Sequence, residues 1–483
     1  MLSRSARSGR EFRIAIAGGG ASGTLLAIQL LLEAGSSALP ARIWLIDQYG
    51  RHGLGQAYAA SRGEYLLNSM AGTMSALPGH PDHLVSWAAA RAAGAAGAGQ
   101  VSEATFLPRR VYGNYLRDTL TAAEQAAHPT ARLARITATV TAIRAEPGGG
   151  RAARLQTTCG PLEADVAVLA TGHEPGVLPF DAPDSDAVIS DPWLPGALDP
   201  LCAGSGSCRV VVVGTGLTMA DVAMAVTAAR PGSTVHAVSR HGLLPRAHLG
   251  PASAPPRPLW LPALSRAAGP VRLNDLMWQV RQAIAASPGS WQAVLEALRP
   301  HVPGLWHGMP DQDKRTFLRH VARYWEVHRH LMPPATAARI TMLRQTGQLV
   351  VHRSRVMAAR QLGSGLSVLV DADGDVTELE ADWLVNASGA TAGGTAAASP
   401  LLRDLLASGM ARPGPVRLGI DADCAGTVLS AHGQPSTFLH ALGPPLRGLW
   451  YETTAIPEIR EQAAALAVQI ISGRLASRSR GAA

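Results

Sequence analysis

The chain has almost no lysine: Lys314 stands alone, and arginine supplies the rest of the 43 basic residues. The formal net charge of +8 taken by itself suits nucleic acid. The arginines are scattered rather than gathered in a tract, and alanine, glycine and proline are abundant beside them. The charge therefore reads as composition bias, and no nucleic-acid partner is expected. Cysteine is scarce too. Cys159, Cys202, Cys208 and Cys424 form no CxxC or CxxxxC pair, which argues against a disulfide-reductase couple. They read as free thiols in a reducing cytoplasm. No His/Cys/Asp grouping has zinc-ligand spacing, so no metal is expected. Long apolar runs are missing as well. The longest, around LLAIQLLLEAG, is too short to cross a bilayer, and the basic MLSRSARSGREFR lacks the apolar core of a secretory signal.

What is present is enough for two or three packed domains: 483 residues, 47% of them hydrophobic. FRIAIAGGGASGTLLAIQLLL reads as a strand, a glycine turn and a helix, with Gly18, Gly20 and Gly23 in G-x-G-x-x-G spacing. The first glycine permits the tight turn, the second lets a diphosphate approach the backbone, and the third lets helix and strand pack closely. The helix start then faces the diphosphate. A second strand, ARIWLIDQYG, brings Asp47 to the place where an acid accepts hydrogen bonds from a ribose.

CRVVVVGTGLTMADVAMAV repeats the pattern with Gly214, Gly216 and Thr218, but Met219 replaces the third glycine, which should loosen helix–strand packing. The strand after it ends in Ser239, Arg240 and His241 instead of an acid. An arginine there suits a 2′-phosphate, hence NADP rather than NAD. A further repeat ties the two halves together. Each glycine loop is followed by a three-run β pattern that closes in D-x-x-x-x-A-[TS]-G, at Asp165–Gly172 and at Asp382–Gly389.

This architecture resembles the two-dinucleotide-binding-domain flavoproteins. The resemblance implies an α/β fold of two Rossmann-like domains, the NADP domain inserted in a discontinuous FAD domain. The expected bounds are 10–204 and 386–483 for FAD and 205–385 for NADP, with a helical insertion at about 260–335. AAGAAGAGQ and GPASAPPRP read as loops or insertions. GLGQAY, EYLLNSMAGTMSALP, FLPRRVYGNYL, SRHGLLP and ALGPPLRGLWYETTAIPEIR narrow the resemblance to a bacterial FAD/NAD(P)-binding family. Some of its members resemble N-hydroxylating flavin monooxygenases, notably aspartate N-hydroxylases.

That resemblance implies FAD and NADPH as cofactors, and amino acid and dioxygen as reactants. A flavin peroxide would pass oxygen to the amine of a small acidic amino acid, L-aspartate. The alternatives are a flavin reductase or oxidase without oxygen insertion, and a non-catalytic redox sensor. Gly172 and Gly443 would complete the FAD site, and the helix beginning near Pro457 would point at the flavin. Asn68 and Gln56 would make polar contacts with it, and Arg447, in the loop before that helix, would clamp a substrate carboxylate. Homo-oligomerisation is left open.

One stretch remains, RTFLRHVARYWEVHRH at 315–330. At about 100° per residue, a helix here puts Phe317, Leu318, Val321, Tyr324 and Trp325 on one face. Arg315, Arg319 and Arg323 lie opposite, with Glu326 and His330 among them; His328 falls on the apolar side and His320 between the faces. This reads as a solvated basic face unless it borders the interdomain cleft. There, Arg319, Arg323 and His320 would be second candidates for an anion, either the NADP phosphates or a substrate carboxylate.

Overall fold

The computed structural model describes residues 11–59, 65–93, 100–146, 152–174, 176–250, 271–287, 289, 291–389 and 399–482. Two sheets organise them. The first has six strands in the order Thr427–Leu429, Pro435–Ala441, Val166–Leu169, Phe12–Ala17, Ala41–Asp47 and Ala131–Thr137. All its pairings are parallel except the one between Thr427–Leu429 and Pro435–Ala441. Both faces are covered, which is why its central strands read as continuous apolar runs. Ile14 and Ile16 point to a core with helices Ala21–Ser36, Arg109–Ala126 and Ile456–Ala482. Ala15 and Ala17 point the other way, to a core shared with helix Pro400–Ala407 and the antiparallel strands Val140–Ala145, Ala153–Thr157 and Gly160–Ala164.

The second sheet runs Leu349–Arg353, Thr234–Ser239, Arg209–Val213, Trp383–Asn386, Val188–Ile189, all parallel. Val188–Ile189 lies upstream of the boundary expected at 205, and so does helix Asp199–Ala203. Both belong to the second unit, since Ile189, Leu198 and Leu201 share a core with Val210 and Val212. Met219 is fully buried in that same core, which absorbs the volume the third glycine would have left empty.

The repeated aspartates do one job twice. Asp165 Oδ2 accepts from the backbone N–H of Arg13 at 2.8 Å, and Asp382 Oδ2 from that of Arg209 at 2.7 Å. Each fastens the strand after its β-meander to the strand that leads into its unit's glycine turn. The glycine turns match equally well. Gly18 and Gly214 both have φ +118°, and a Cβ on either would lie 2.2 Å from a carbonyl oxygen, of Ala170 or Ala387. Only glycine fits such a turn.

Part of the expected insertion, and most of AAGAAGAGQ and GPASAPPRP, lies outside the described residues. The remainder of the insertion is helical: Leu273–Ala285, Trp291–Leu298, Val302–Gly308, Asp311–Thr316 and Ala322–Arg329. It bridges the units, because its Leu273, Trp306 and Phe317 pack on Leu418 and Tyr451 of the C-terminal segment.

The 315–330 stretch is not one regular helix. Phe317–Val321 is a π-helical turn between two α-helical pieces. The wide turn slips the register. Tyr324, expected on the apolar face, is therefore 51% exposed. Arg329 is buried instead, paired with the equally buried Glu452 at 3.3 Å. His328 is half-buried, its ring against Trp291 and its Nδ1 2.7 Å from the Tyr324 carbonyl.

A candidate cleft between two dinucleotide-binding units

Three loops converge at the carboxyl end of the first sheet, where open α/β sheets bind ligands. They follow Phe12–Ala17, Val166–Leu169 and Pro435–Ala441, and they bring Gly18–Gly23, Gly172 and Gly443 together. A Cβ on Gly443 (φ +73°) would lie 2.8 Å from Ser22 Oγ, and one on Gly23 only 1.9 Å from Gly18 O. Gly23 thus serves helix–strand packing. Gly20 serves the open side: a Cβ there would meet nothing nearer than Gly55 Cα at 3.4 Å. Gly55 belongs to GLGQAY, whose loop crosses the glycine turn and is tied to it by Gly53 N–H donating to Gly19 O at 2.9 Å. Asp47 ends its strand beside Gly19. Its Oδ1 accepts from Tyr49 and Arg51 N–H, both at 2.9 Å, which fixes the carboxylate. These residues fit a dinucleotide with an adenosine ribose at Asp47 and a diphosphate at Gly20.

The second unit has an equally open cradle: a Cβ on Gly216 would meet nothing within 4 Å. Thr218 faces the crevice between the units, with Tyr65, Trp193 and Asp221. Ser239 Oγ lies 2.9 Å from Thr215 Oγ1 and accepts from Gly242 N–H, which shapes the turn carrying Arg240 and His241. Arg240 is exposed, and strand pairing sets Arg353, also exposed, beside Ser239.

A cleft in the first unit is lined by Gly172, His173, Glu174, Leu418, Pro444 and Arg447, among others, and Arg447 reaches from it to Glu326 of the helical insertion. Arg447 is the central cation. Its guanidinium lies 4.9 Å from the Tyr451 ring centre and donates to Glu326 Oε1 at 3.3 Å. Burial works against its charge, but Tyr451 and Glu326 more than offset that. Burial pushes the Tyr451 hydroxyl up to about 12, so it stays protonated. Tyr451 holds φ +47°, a strained value for a non-glycine residue. His330 is held neutral, its imidazole lowered to about 4 by burial and then by Arg329, with Arg447 and His173 also nearby. His173 is open to solvent along the cleft yet ringed by protein, and that surrounding and Arg447 keep its imidazole below the usual range.

The basic face of 315–330 thus divides. Glu326 and His330 lie toward Arg447, and Arg323 reaches Glu326 at 2.7 Å. Arg315, Arg319 and His320 are exposed, and Arg315 lies 3.7 Å from Asp311. Gln56 donates to Asp191 Oδ2 at 3.3 Å, spanning toward the second unit. Asn68 is half-buried in the segment that follows Tyr65. Arg109, at the start of its helix, pairs with buried Asp221 at 2.8 Å and stacks on Trp193 at 4.9 Å, joining the two units. His173, Glu174, Arg329 and Glu452 were not singled out from sequence. Only spatial proximity to Arg447 and Glu326 marks them.

Residues 15–174 match a family model described as FAD-NAD(P)-binding. No curated protein sequence matches this chain. Among solved structures the fold is that of two-dinucleotide-binding-domain flavoproteins. The chain is similar to the Kutzneria sp. 744 ornithine N-hydroxylase in complex with reduced FAD, NADP+ and L-ornithine, at 17% identity and TM-score 0.63, covering 96% of this chain and 99% of that one. It is similar to L-lysine 6-monooxygenase from Pseudomonas syringae, at 16% identity and TM-score 0.60, covering 98% and 100%. It is also similar to the FAD-bound cadaverine monooxygenase of desferrioxamine biosynthesis from Erwinia amylovora, at 14% identity and TM-score 0.63, covering 96% and 95%.

Proposed function

We propose that this protein is a FAD- and NADPH-dependent monooxygenase that hydroxylates the amine of a small acidic amino acid, with L-aspartate as the substrate. Gly18, Gly20, Asp47, Gly172 and Gly443 would hold FAD, and Gly214, Gly216, Ser239 and Arg240 would hold NADPH. When bound, the flavin supplies the reduction and activation of dioxygen. The chain supplies position, a dry surface and charge.

The observation that carries the reading is the charge balance around Arg447. Arg323 and Arg447 share one carboxylate, Glu326, while Arg329 is matched by Glu452. Glu174 also lines the cleft, its carboxyl pushed up by burial, and the guanidinium of Arg447 is the group there that a substrate carboxylate would meet. A guanidinium grips a carboxylate in a fixed plane, which sets where the attached amine points. His173 and His330, neutral beside Arg447, add no further charge there. The full-length likeness to hydroxylases of ornithine, lysine and cadaverine supports the reaction class. The arginine at the cleft supports a substrate that carries a carboxylate, and aspartate in particular rests on the family resemblance of the sequence motifs.

A panel of amino acids tests this through NADPH oxidation, dioxygen uptake and product analysis. Aspartate should stimulate both rates and yield a hydroxylamine or nitroso product. Stimulation by ornithine or lysine, with aspartate inert, would remove the acidic assignment. Rapid reduction of quinones or dyes with no amine oxidised would favour the reductase alternative.

A further inference from the structure

Glu326 sits between two cations, Arg323 and Arg447. Its Oε2 accepts from Arg323 Nη1 at 2.7 Å, and its Oε1 accepts from Arg447 Nη2 at the longer distance of 3.3 Å. Arg447 lines the cleft of the first unit. Arg323 lies on the other side, toward the turn after Thr234–Ser239. The neighbouring Tyr324 ring stands 6.1 Å from the ring of His241. A Cβ on Gly242 would lie 3.2 Å from Arg353 Cβ, which brings Arg353 to that same turn. Arg240, Arg323 and Arg353 all depress the His241 imidazole, after the effect of its partial burial. Three guanidiniums from three elements therefore surround one exposed imidazole. Among the described residues, only Arg323 of the three has a carboxylate partner, and that partner is Glu326.

We propose that Glu326 is a shared counter-ion that couples the 2′-phosphate pocket of the nicotinamide cofactor to the carboxylate cleft, making the two sites antagonistic. The inference rests on the proposed assignment of the second unit to NADPH. A phosphate arriving at Arg240 and Arg353 draws Arg323 toward itself. Glu326, released, closes on Arg447 and competes there with a substrate carboxylate. The reverse also holds, as linkage requires: a carboxylate on Arg447 returns Glu326 to Arg323 and withholds that arginine from the phosphate. The helix Ala322–Arg329 carries Arg323 and Glu326 on one turn, so no large movement is needed, only a change of side-chain partner.

A double-mutant cycle read by calorimetry tests the coupling without substrate, turnover or NADPH. The probes are 2′,5′-ADP and 5′-AMP, which differ only in the 2′-phosphate, titrated into the flavin-loaded protein. Arg447→Ala removes a cation from the cleft, leaves Glu326 wholly to Arg323, and should weaken 2′,5′-ADP binding about three- to tenfold with 5′-AMP unchanged. In a Glu326→Gln background the same Arg447→Ala change should have no effect, and Glu326→Gln alone should tighten 2′,5′-ADP. An equal effect of Arg447→Ala in both backgrounds would mean a simple loss of long-range attraction between cation and phosphate and overturn the shared counter-ion, as would no effect in either. Wild-type protein that binds 5′-AMP and 2′,5′-ADP equally would instead overturn the NADPH assignment, and the coupling with it.

Discussion

Gly23→Ala is the substitution whose cost the structure defines most sharply. The added methyl would lie 1.9 Å from Gly18 O and 3.1 Å from both Gly18 C and Ile16 Cγ2. The nearest atom is backbone, so no side chain can rotate away. Helix Ala21–Ser36 would have to move off the strand by about 1 Å before contact becomes ordinary. Overpacking of this kind costs about 1–3 kcal/mol, and the upper end is expected because the opposing carbonyl belongs to the tight turn at Gly18. Gly20→Ala provides the contrast in the same loop. Its methyl meets only Gly55 Cα at 3.4 Å, so the fold should survive, but it occupies the path of the diphosphate. Denaturant unfolding of the flavin-stripped proteins should show Gly23→Ala destabilised and Gly20→Ala close to wild type. Flavin content after purification should then be low for Gly20→Ala. A stable Gly23→Ala, or a folded Gly20→Ala with one FAD per chain, would refute this division of roles.

Arg240→Ala should raise the Michaelis constant for NADPH by about one to two orders of magnitude, since a charge-assisted contact contributes about 1.5–3 kcal/mol; an equal loss for NADH would contradict the assignment. Arg447→Ala should strongly weaken aspartate-stimulated turnover while leaving flavin content intact, and Arg319→Ala, at an exposed position, should change neither. Arg109→Ala leaves Asp221 buried without this partner and should cost about 3–5 kcal/mol in unfolding free energy; a change below about 0.5 kcal/mol would show that the pair does not join the units energetically. Burial in strand Pro435–Ala441 lowers His440 to about 4. The unfolded chain binds this proton first, near pH 6.5, so the contribution is intact above that pH and is lost as pH falls toward 4, by at most about 3 kcal/mol. His440→Gln should flatten that acid limb in stability measured against pH.

The parts legible in the sequence were those set by local backbone geometry. A turn at φ +118° demands glycine, so Gly18 and Gly214 announced both units. The closing D-x-x-x-x-A-[TS]-G motif was also visible, but the task of its aspartates was not. Asp165 meets Arg13 and Asp382 meets Arg209 across more than 150 residues, and no local pattern encodes such a contact. The 315–330 helix was legible only in part: Phe317, Leu318, Val321 and Trp325 do pack in one apolar cluster, but Tyr324 does not join them. A constant angle per residue cannot anticipate a π-helical turn, and beyond it Tyr324 is exposed. Arg447 was legible from its place before the last helix. Its partner Glu326 and the nearby His330 depend on how the helical insertion docks, whereas Tyr451, one turn on from Arg447, and His173 come from the first unit itself.

Labelled dioxygen gives the most direct test of the central claim. The purified, flavin-loaded protein is supplied with NADPH, L-aspartate and 18O2, and the amino-acid product is analysed by mass spectrometry. The account predicts an N-oxygenated aspartate derivative that carries 18O on nitrogen, formed in step with NADPH oxidation. Oxidation of NADPH that ends in labelled hydrogen peroxide, with aspartate recovered unchanged, would contradict it.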